Sequence, residues 1–291
     1  MTERKRRLIL IRGLGHSGTT ILDLALGAHP QITGLGEAVR LLEKPVAKDR
    51  HRGPAQLRGA LRFKRECTCG LVADRCPVWG PVLRWLPAHD DQPLPVKLKR
   101  LLDGVGDESA ASGRASWVVE SYQDDFSLPF LDDPSLEIWV IHLTRDVRSW
   151  VHSRSRDGRQ RGRWLPGLQP LLRWWRLSAR HERQLMRCGK PVFRLGYEEL
   201  ALEPEASLRR LCAWLGLDFA PEMLQPVLQS GSHILAGNRV RFDLDRGRAI
   251  QYDSAWMQVG SGVAQFALAW PALADLNQRL VYSGRASRGH R

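Results

Sequence analysis

No stretch of this chain approaches the ~20 apolar residues that a membrane helix needs. The block nearest the N-terminus, Leu8-Ile9-Leu10-Ile11, is short and is stopped by Arg12. The basic start MTERKRR is therefore not expected to open a secretory signal. Nothing repeats at a fixed period. Cysteine is scarce, five in 291 residues, which argues against a disulfide framework and for a reducing, cytoplasmic setting. Acidic residues are outnumbered, 31 against 44 Lys and Arg, for a net charge of +13. That excess points to an anionic partner such as a nucleotide, nucleic acid, acidic substrate or membrane surface, or else to a solvated basic surface.

The most telling absence is one lysine. Residues 13–20 read GLGHSGTT, between the apolar run 8–11 and the helix-like Ile21-Leu22-Asp23-Leu24-Ala25-Leu26. A strand, a glycine-rich turn and a helix cradle phosphate on backbone N–H groups at a helix N-terminus. The turn nearly spells GxxxxGK[ST], but Thr19 stands where the lysine belongs. In an ATPase that lysine bridges the outer phosphates, beside a Mg²⁺. Without it, the loop suits a 5′-linked diester or phosphosulfate held without metal, with Ser17, Thr19 and Thr20 as hydroxyl donors. His16 is the loop's one titratable group.

Around this loop, apolar runs bounded by polar residues predict buried strands at 8–12, 31–35, 116–120, 137–143 and 191–195. Helices are expected at 19–28, from near Asp146, at 168–187 and at 203–215, where Leu208, Leu211, Cys212 and Leu215 share a face. The fold class expected is α/β: a P-loop-like open parallel sheet flanked by helices. Residues 1–291 read as a single domain. Residues 63–113 read as an irregular, cysteine-containing insertion or cap, with a polar Gly/Ser/Ala stretch at 104–113. Its cysteines, Cys67, Cys69 and Cys76, have a C-x-C-x6-C spacing that matches no standard zinc template and lacks a fourth ligand. They are read as structural or unexplained, with metal or redox chemistry as the other option, and no metal ligand is assigned.

HSGTT resembles the 5′-phosphosulfate loop of sulfotransferases that use 3′-phosphoadenosine 5′-phosphosulfate (PAPS), which typically reads [KR]SG[TS][TS]. His16 departs from that pattern. VIHLTRDVRSWVHSRSR is similar to the family's 3′-phosphate motif: Arg145 ends a strand and Ser153 follows eight residues on. The chemistry suits it, since a guanidinium fork binds phosphate bidentately and a serine adds a donor. The resemblance, spanning most of residues 8–256, implies PAPS as co-substrate with no metal required. It implies nucleotide contacts from Gly15, His16, Ser17, Gly18, Thr19, Thr20, Arg145 and Ser153. LGYEEL would place Tyr197 near the adenine, and GNRVRF would add Asn238 and Arg239. AHPQITGLGE resembles the HP…GE segment whose glutamate serves as base, so Glu37 is the expected catalytic base, with His16 the other catalytic candidate.

The implied activity moves the sulfuryl group to a hydroxyl-bearing acceptor by in-line displacement. The family's sulfate-touching lysine is missing: Glu120-Ser121-Tyr122-Gln123 stands in its place. Its charge must come from His16 and Arg12 or from the arginine-rich 154–163. That run, with Trp164, Trp174 and Trp175, would suit an acidic acceptor as a basic, aromatic-edged mouth. Tyrosyl peptide, glycan and small molecule stay open, as does oligomeric state. Two alternatives compete. A P-loop kinase-like phosphotransferase needs the absent lysine. A non-enzymatic nucleic-acid-binding module built on 154–163 leaves both phosphate motifs unused, which makes nucleic acid an unlikely partner.

Overall fold

Alternation along RRLILIR sends Leu8 and Leu10 to one face of a strand and Ile9 and Ile11 to the other, and all four are fully buried. A strand apolar on both faces belongs in the middle of a covered parallel sheet. The computed structural model places it there. The structure describes residues 5–44, 65–112, 117–122, 132–155, 167–226, 231–237, 239–242, 249–258 and 262–283. Strands β1 (Arg6–Arg12), β2 (Ile32–Gly34), β3 (Trp117–Glu120), β4 (Leu136–Thr144) and β5 (Val192–Gly196) form one sheet in the order β2-β3-β1-β4-β5. All four pairings are parallel, with Leu8 opposite Val118 on one side and Ile138 on the other. Every strand lies close to its expected place.

Among the described residues the α-helices are α1 (Thr19–Gly27), α2 (Ala38–Leu42), α3 (Trp79–Trp85), α4 (Leu94–Ser112), α5 (Val147–Ser155), α6 (Leu168–Arg187), α7 (Tyr197–Leu202), α8 (Pro204–Leu215), α9 (Ala255–Gln258), α10 (Gly262–Phe266) and α11 (Pro271–Val281). One sheet face packs Leu8, Leu10 and Val140 against α2, α3 and α4. The other packs Ile9, Ile11, Ile141 and Leu143 against α1 and α8, where Leu208, Leu211, Cys212 and Leu215 are all buried as expected. A third cluster joins α5, α6 and α11 through Val147, Trp150, Trp174 and Leu276.

One expectation is corrected. Within the span read as irregular, the described residues 65–112 include α3 and the 19-residue α4; the stretch before α3 is turns and loop. Leu98, Leu101, Leu102 and Val105 repeat at helical spacing and face the core. The Gly/Ser/Ala composition of 104–112 hid the helix. Gly104 belongs in it because a Cβ there would lie 3.1 Å from the Val78 carbonyl oxygen, where α4 crosses close to the chain entering α3. Residues 45–64 and the 156–163 part of the arginine run lie outside the described residues, as do Gln123, Trp164 and Asn238. Among the described residues no helix is long and apolar enough to cross a membrane.

Strand order reverses on either side of β1, which has β3 on one flank and β4 on the other. The carboxyl ends of β1 and β4 therefore frame a crevice at a switch point, where open α/β sheets bind ligands.

Candidate active site

The turn leaving β1 takes two left-handed residues, His16 at φ 75° and Gly18 at φ 88°. Such a turn aims successive N–H groups into one concavity. Gly18 is required twice over: its φ disfavours a side chain, and a Cβ would lie 2.6 Å from the Tyr197 ring. Helix α5 clamps the loop from behind. Trp150 Nε1 donates to the Gly15 carbonyl at 2.8 Å, and Arg145 Nη1 donates to the His16 carbonyl at 3.1 Å.

A cavity of about 510 Å³ opens on this turn, within the range of small-molecule sites. Its wall includes His16, Gly18, Thr19, Thr20, Glu37, Arg145, Ser153 and Tyr197. Motifs more than a hundred residues apart in sequence thus meet at one crevice. Of the loop's other candidates, Gly15 and Ser17 do not line it. Gly237 from the late loop does, while Asn238 and the side chain of Arg239 lie outside what is described. Ile250, Gln251 and Asp253 complete the wall from a segment that carries no motif.

Arg145 is buried, and each of its three guanidinium nitrogens donates a hydrogen bond. Nε donates to Ser149 Oγ at 2.7 Å, Nη1 to the loop carbonyl, and Nη2 to Asp253 Oδ2 at 2.8 Å. Its Cζ sits 4.8 Å from the centre of the Tyr197 ring. The serine bonded to Arg145 is Ser149, one helical turn on. Ser153, a further turn along, meets His16 instead. Burial raises Asp253, but Arg145 and the Ala255 N–H outweigh it and hold the carboxyl below its ordinary value. The strand-to-helix turn beneath is anchored by buried Asp146, which accepts from Arg148, Asn277 Nδ2 and the Tyr282 hydroxyl. Burial pulls Asp146 up, yet Arg148 and Asn277 bring it below the usual range.

His16 stands where a cation is usual, and its two nitrogens are spoken for. Arg154 Nη1 lies 3.0 Å from Nε2, and Ser153 Oγ lies 3.2 Å from Nδ1. A guanidinium only donates. Nε2 therefore accepts in this arrangement, and the ring is the neutral tautomer with its proton on Nδ1, donated to Ser153. The cation at this edge is Arg154, hydrogen-bonded to the imidazole. Arg12, the other candidate source of charge, is excluded. It is 1% exposed and paired at 2.8 Å with the equally buried Glu120, behind the site. Trp174 is excluded from any acceptor mouth: it is fully buried, with Nε1 on the Arg145 carbonyl at 3.0 Å.

Glu37 precedes α2 but makes no side-chain cap to it, so helix capping does not account for it. Its backbone N–H donates to the Ala236 carbonyl at 3.0 Å, and Oε2 accepts from Arg40 Nη1 at 2.8 Å. Behind it, buried Asp23 accepts from the Gly36 N–H at 3.1 Å, and burial pushes Asp23 up to about 7.

Away from this cavity, the fold supplies what the cysteine cluster lacked in sequence. His233 joins Cys67, Cys69 and Cys76, with all four potential ligand atoms within 4.8 Å of one another.

Residues 137–221 match a family model described as the sulfotransferase family. That segment holds Arg145, Ser149, Ser153 and Tyr197; the Gly13–Thr20 loop and Glu37 precede it. Human carbohydrate sulfotransferase 6 is 29% identical over 114 residues, covering 33% of this chain and 29% of the relative. Human carbohydrate sulfotransferase 5 is 30% identical over 115 residues, covering 33% and 28%. The chain thus spans under a third of the length of the curated relatives it matches. A mouse sulfotransferase solved with PAP (3′-phosphoadenosine 5′-phosphate) aligns over 99% of this chain and 90% of its own, at 15% identity and a TM-score of 0.49.

Proposed function

With sulfotransferase-family sequence running through residues 137–221, we propose that this chain transfers a sulfuryl group from PAPS to a hydroxyl-bearing acceptor. One observation carries the reading: the Gly18-Thr19-Thr20 turn and the Arg145–Ser153 helix start open on the same cavity. A nucleotide phosphorylated at two positions needs two anion-binding groups in one cleft. The residues fit such a ligand. The left-handed turn leaves room for an anion beside backbone N–H groups, and Arg145 already holds a carboxylate through Nη2.

In this reading the turn, Thr19 and Thr20 hold the 5′-phosphosulfate. Arg145 and Ser153 hold the 3′-phosphate, and Tyr197 lies against the adenine. The acceptor oxygen attacks sulfur. Its S–O bond forms as the bond from sulfur to the 5′-phosphate oxygen breaks, and PAP leaves with that electron pair. The acceptor's proton passes to Glu37. Arg154, beside His16, brings positive charge to the edge where a lysine stands elsewhere in the family. No metal takes part in the transfer. A phosphotransferase reading finds no support at Thr19, which is buried in the lysine's place.

Thermal unfolding with added nucleotide tests this directly. A ligand at a hundred times its dissociation constant adds ~2.7 kcal/mol. PAP is expected to raise the melting temperature, and ATP with Mg²⁺ is not. Stabilisation by ATP–Mg²⁺ alone would overturn the reading.

A further inference from the structure

We propose that Cys67, Cys69, Cys76 and His233 form a structural Zn²⁺ site. It stands independently of the donor nucleotide assigned above. The ligand atoms lie within 4.8 Å of one another, and Cys76 Sγ is 3.2 Å from His233 Nδ1. A tetrahedron of ~2.3 Å bonds has edges of roughly 3.8 Å, so small side-chain adjustments close the cage. Three thiolates and an imidazole are a soft donor set that selects Zn²⁺ over Mg²⁺ or Ca²⁺. Four protein ligands leave no open position, which makes the site structural and not catalytic.

The backbone is arranged for it. Cys67 and Cys69 flank a tight turn in which Gly70 N–H donates to the Cys67 carbonyl at 3.0 Å and Gly70 takes φ 82°. Cys67 N–H donates to Leu71, and an antiparallel bridge pairs Glu66 with Val72. Cys76 stands just before α3, where the Trp79 N–H reaches its sulfur at 3.5 Å. Outer hydrogen bonds orient the histidine segment, as second shells do at metal sites. Trp79 Nε1 donates to the His233 carbonyl at 2.6 Å, and Thr68 Oγ1 donates to Ser232 and accepts from the Ile234 N–H. Cys67, Cys76 and His233 are buried; Cys69 is exposed.

The site ties the 65–79 segment to 231–237, the segment that reaches the active cavity. His233 N–H pairs with Gly34, the Ala236 carbonyl receives the Glu37 N–H, and Gly237 lines the cavity wall. Loss of the metal therefore loosens the backbone that positions Glu37.

Metal analysis of the untagged chain, purified under reducing conditions, tests the proposal. One zinc per chain is expected. Co²⁺ exchanged into the protein should give the thiolate charge-transfer band and intense visible bands of a tetrahedral site. Cys69→Ser alters an exposed ligand and spares the core, and is expected to lower zinc affinity at least about tenfold, since losing even an outer-shell partner costs roughly 10–100-fold. Cys188→Ser, outside the cluster, should leave it unchanged. The proposal is overturned if wild-type protein carries only trace zinc and gives no tetrahedral Co²⁺ spectrum. It is equally overturned if Cys69→Ser retains full zinc, or if freshly reduced protein re-forms a disulfide within the cluster in place of binding metal. Should the variant fail to fold, the wild-type metal content and Co²⁺ spectrum decide.

Discussion

Glu37 and Gly18 are the residues where the proposed chemistry is most exposed to test. Glu37 sits on the cavity wall with one oxygen on Arg40. Glu37→Gln keeps the shape but cannot take a proton, so single-turnover transfer should slow by roughly 10²–10⁴. Nucleotide affinity should stay within a few-fold. Near wild-type transfer would move the base elsewhere, with His16 next in line. Gly18→Ala acts on the donor side: its methyl meets Tyr197, and its φ costs on the order of 1 kcal/mol before any displacement. PAP binding should be lost or cut severely while the fold persists, read by calorimetry and circular dichroism. The candidates that a motif carried, His16, Arg145 and Ser153, line one cavity. Their partners were not legible in the sequence. Ser149 looked like any helix serine, and Asp253 lies 108 positions from the arginine it holds. Only the fold supplies that adjacency.

At the scale of elements, two of the strand-to-helix turns that meet at the cavity rest on buried carboxylates. Asp146 anchors the β4–α5 turn. Asp23 of α1 anchors the turn at Gly36 that presents Glu37. Asp23 is raised from about 3.9 in an unfolded chain to about 7 by burial. Its protonated form is thus favoured by folding. That contribution is fully present below the unfolded pKa and is lost as pH rises through about 7. Glu198, also raised to about 7, and His142, lowered to about 3, titrate in overlapping ranges, so the informative quantity is a difference. Wild-type stability minus that of Asp23→Asn should decline by on the order of 1–4 kcal/mol from pH ~4 to ~7, measured by urea unfolding. A flat difference would mean that Asp23 is ionised in the fold. The strands were legible because a short, uninterrupted apolar run between polar residues fits little besides a buried strand. Helix α4 was hidden by its glycines, although Leu98, Leu101, Leu102 and Val105 carried the signal. His233 could not be joined to cysteines more than 150 residues earlier by spacing alone.

Across the whole molecule, a net charge of +13 acquires a focus where sheet topology brings Arg145 and the β1 turn to one crevice. A bare basic surface would attract any polyanion, with affinity falling steeply as salt rises. A built cavity distinguishes one phosphate position from another. In the proposed function this cavity reads a nucleotide carrying a 3′-phosphate. Calorimetric titration of PAP and of adenosine 5′-monophosphate into wild type and Arg145→Ala tests it most directly. Losing a hydrogen-bonded charge contact costs about 1.5–3 kcal/mol. Wild type should prefer PAP; Arg145→Ala should weaken PAP by roughly tenfold or more and leave the monophosphate within a few-fold. Equal losses for the two ligands, or no preference for PAP in the wild type, would contradict the account.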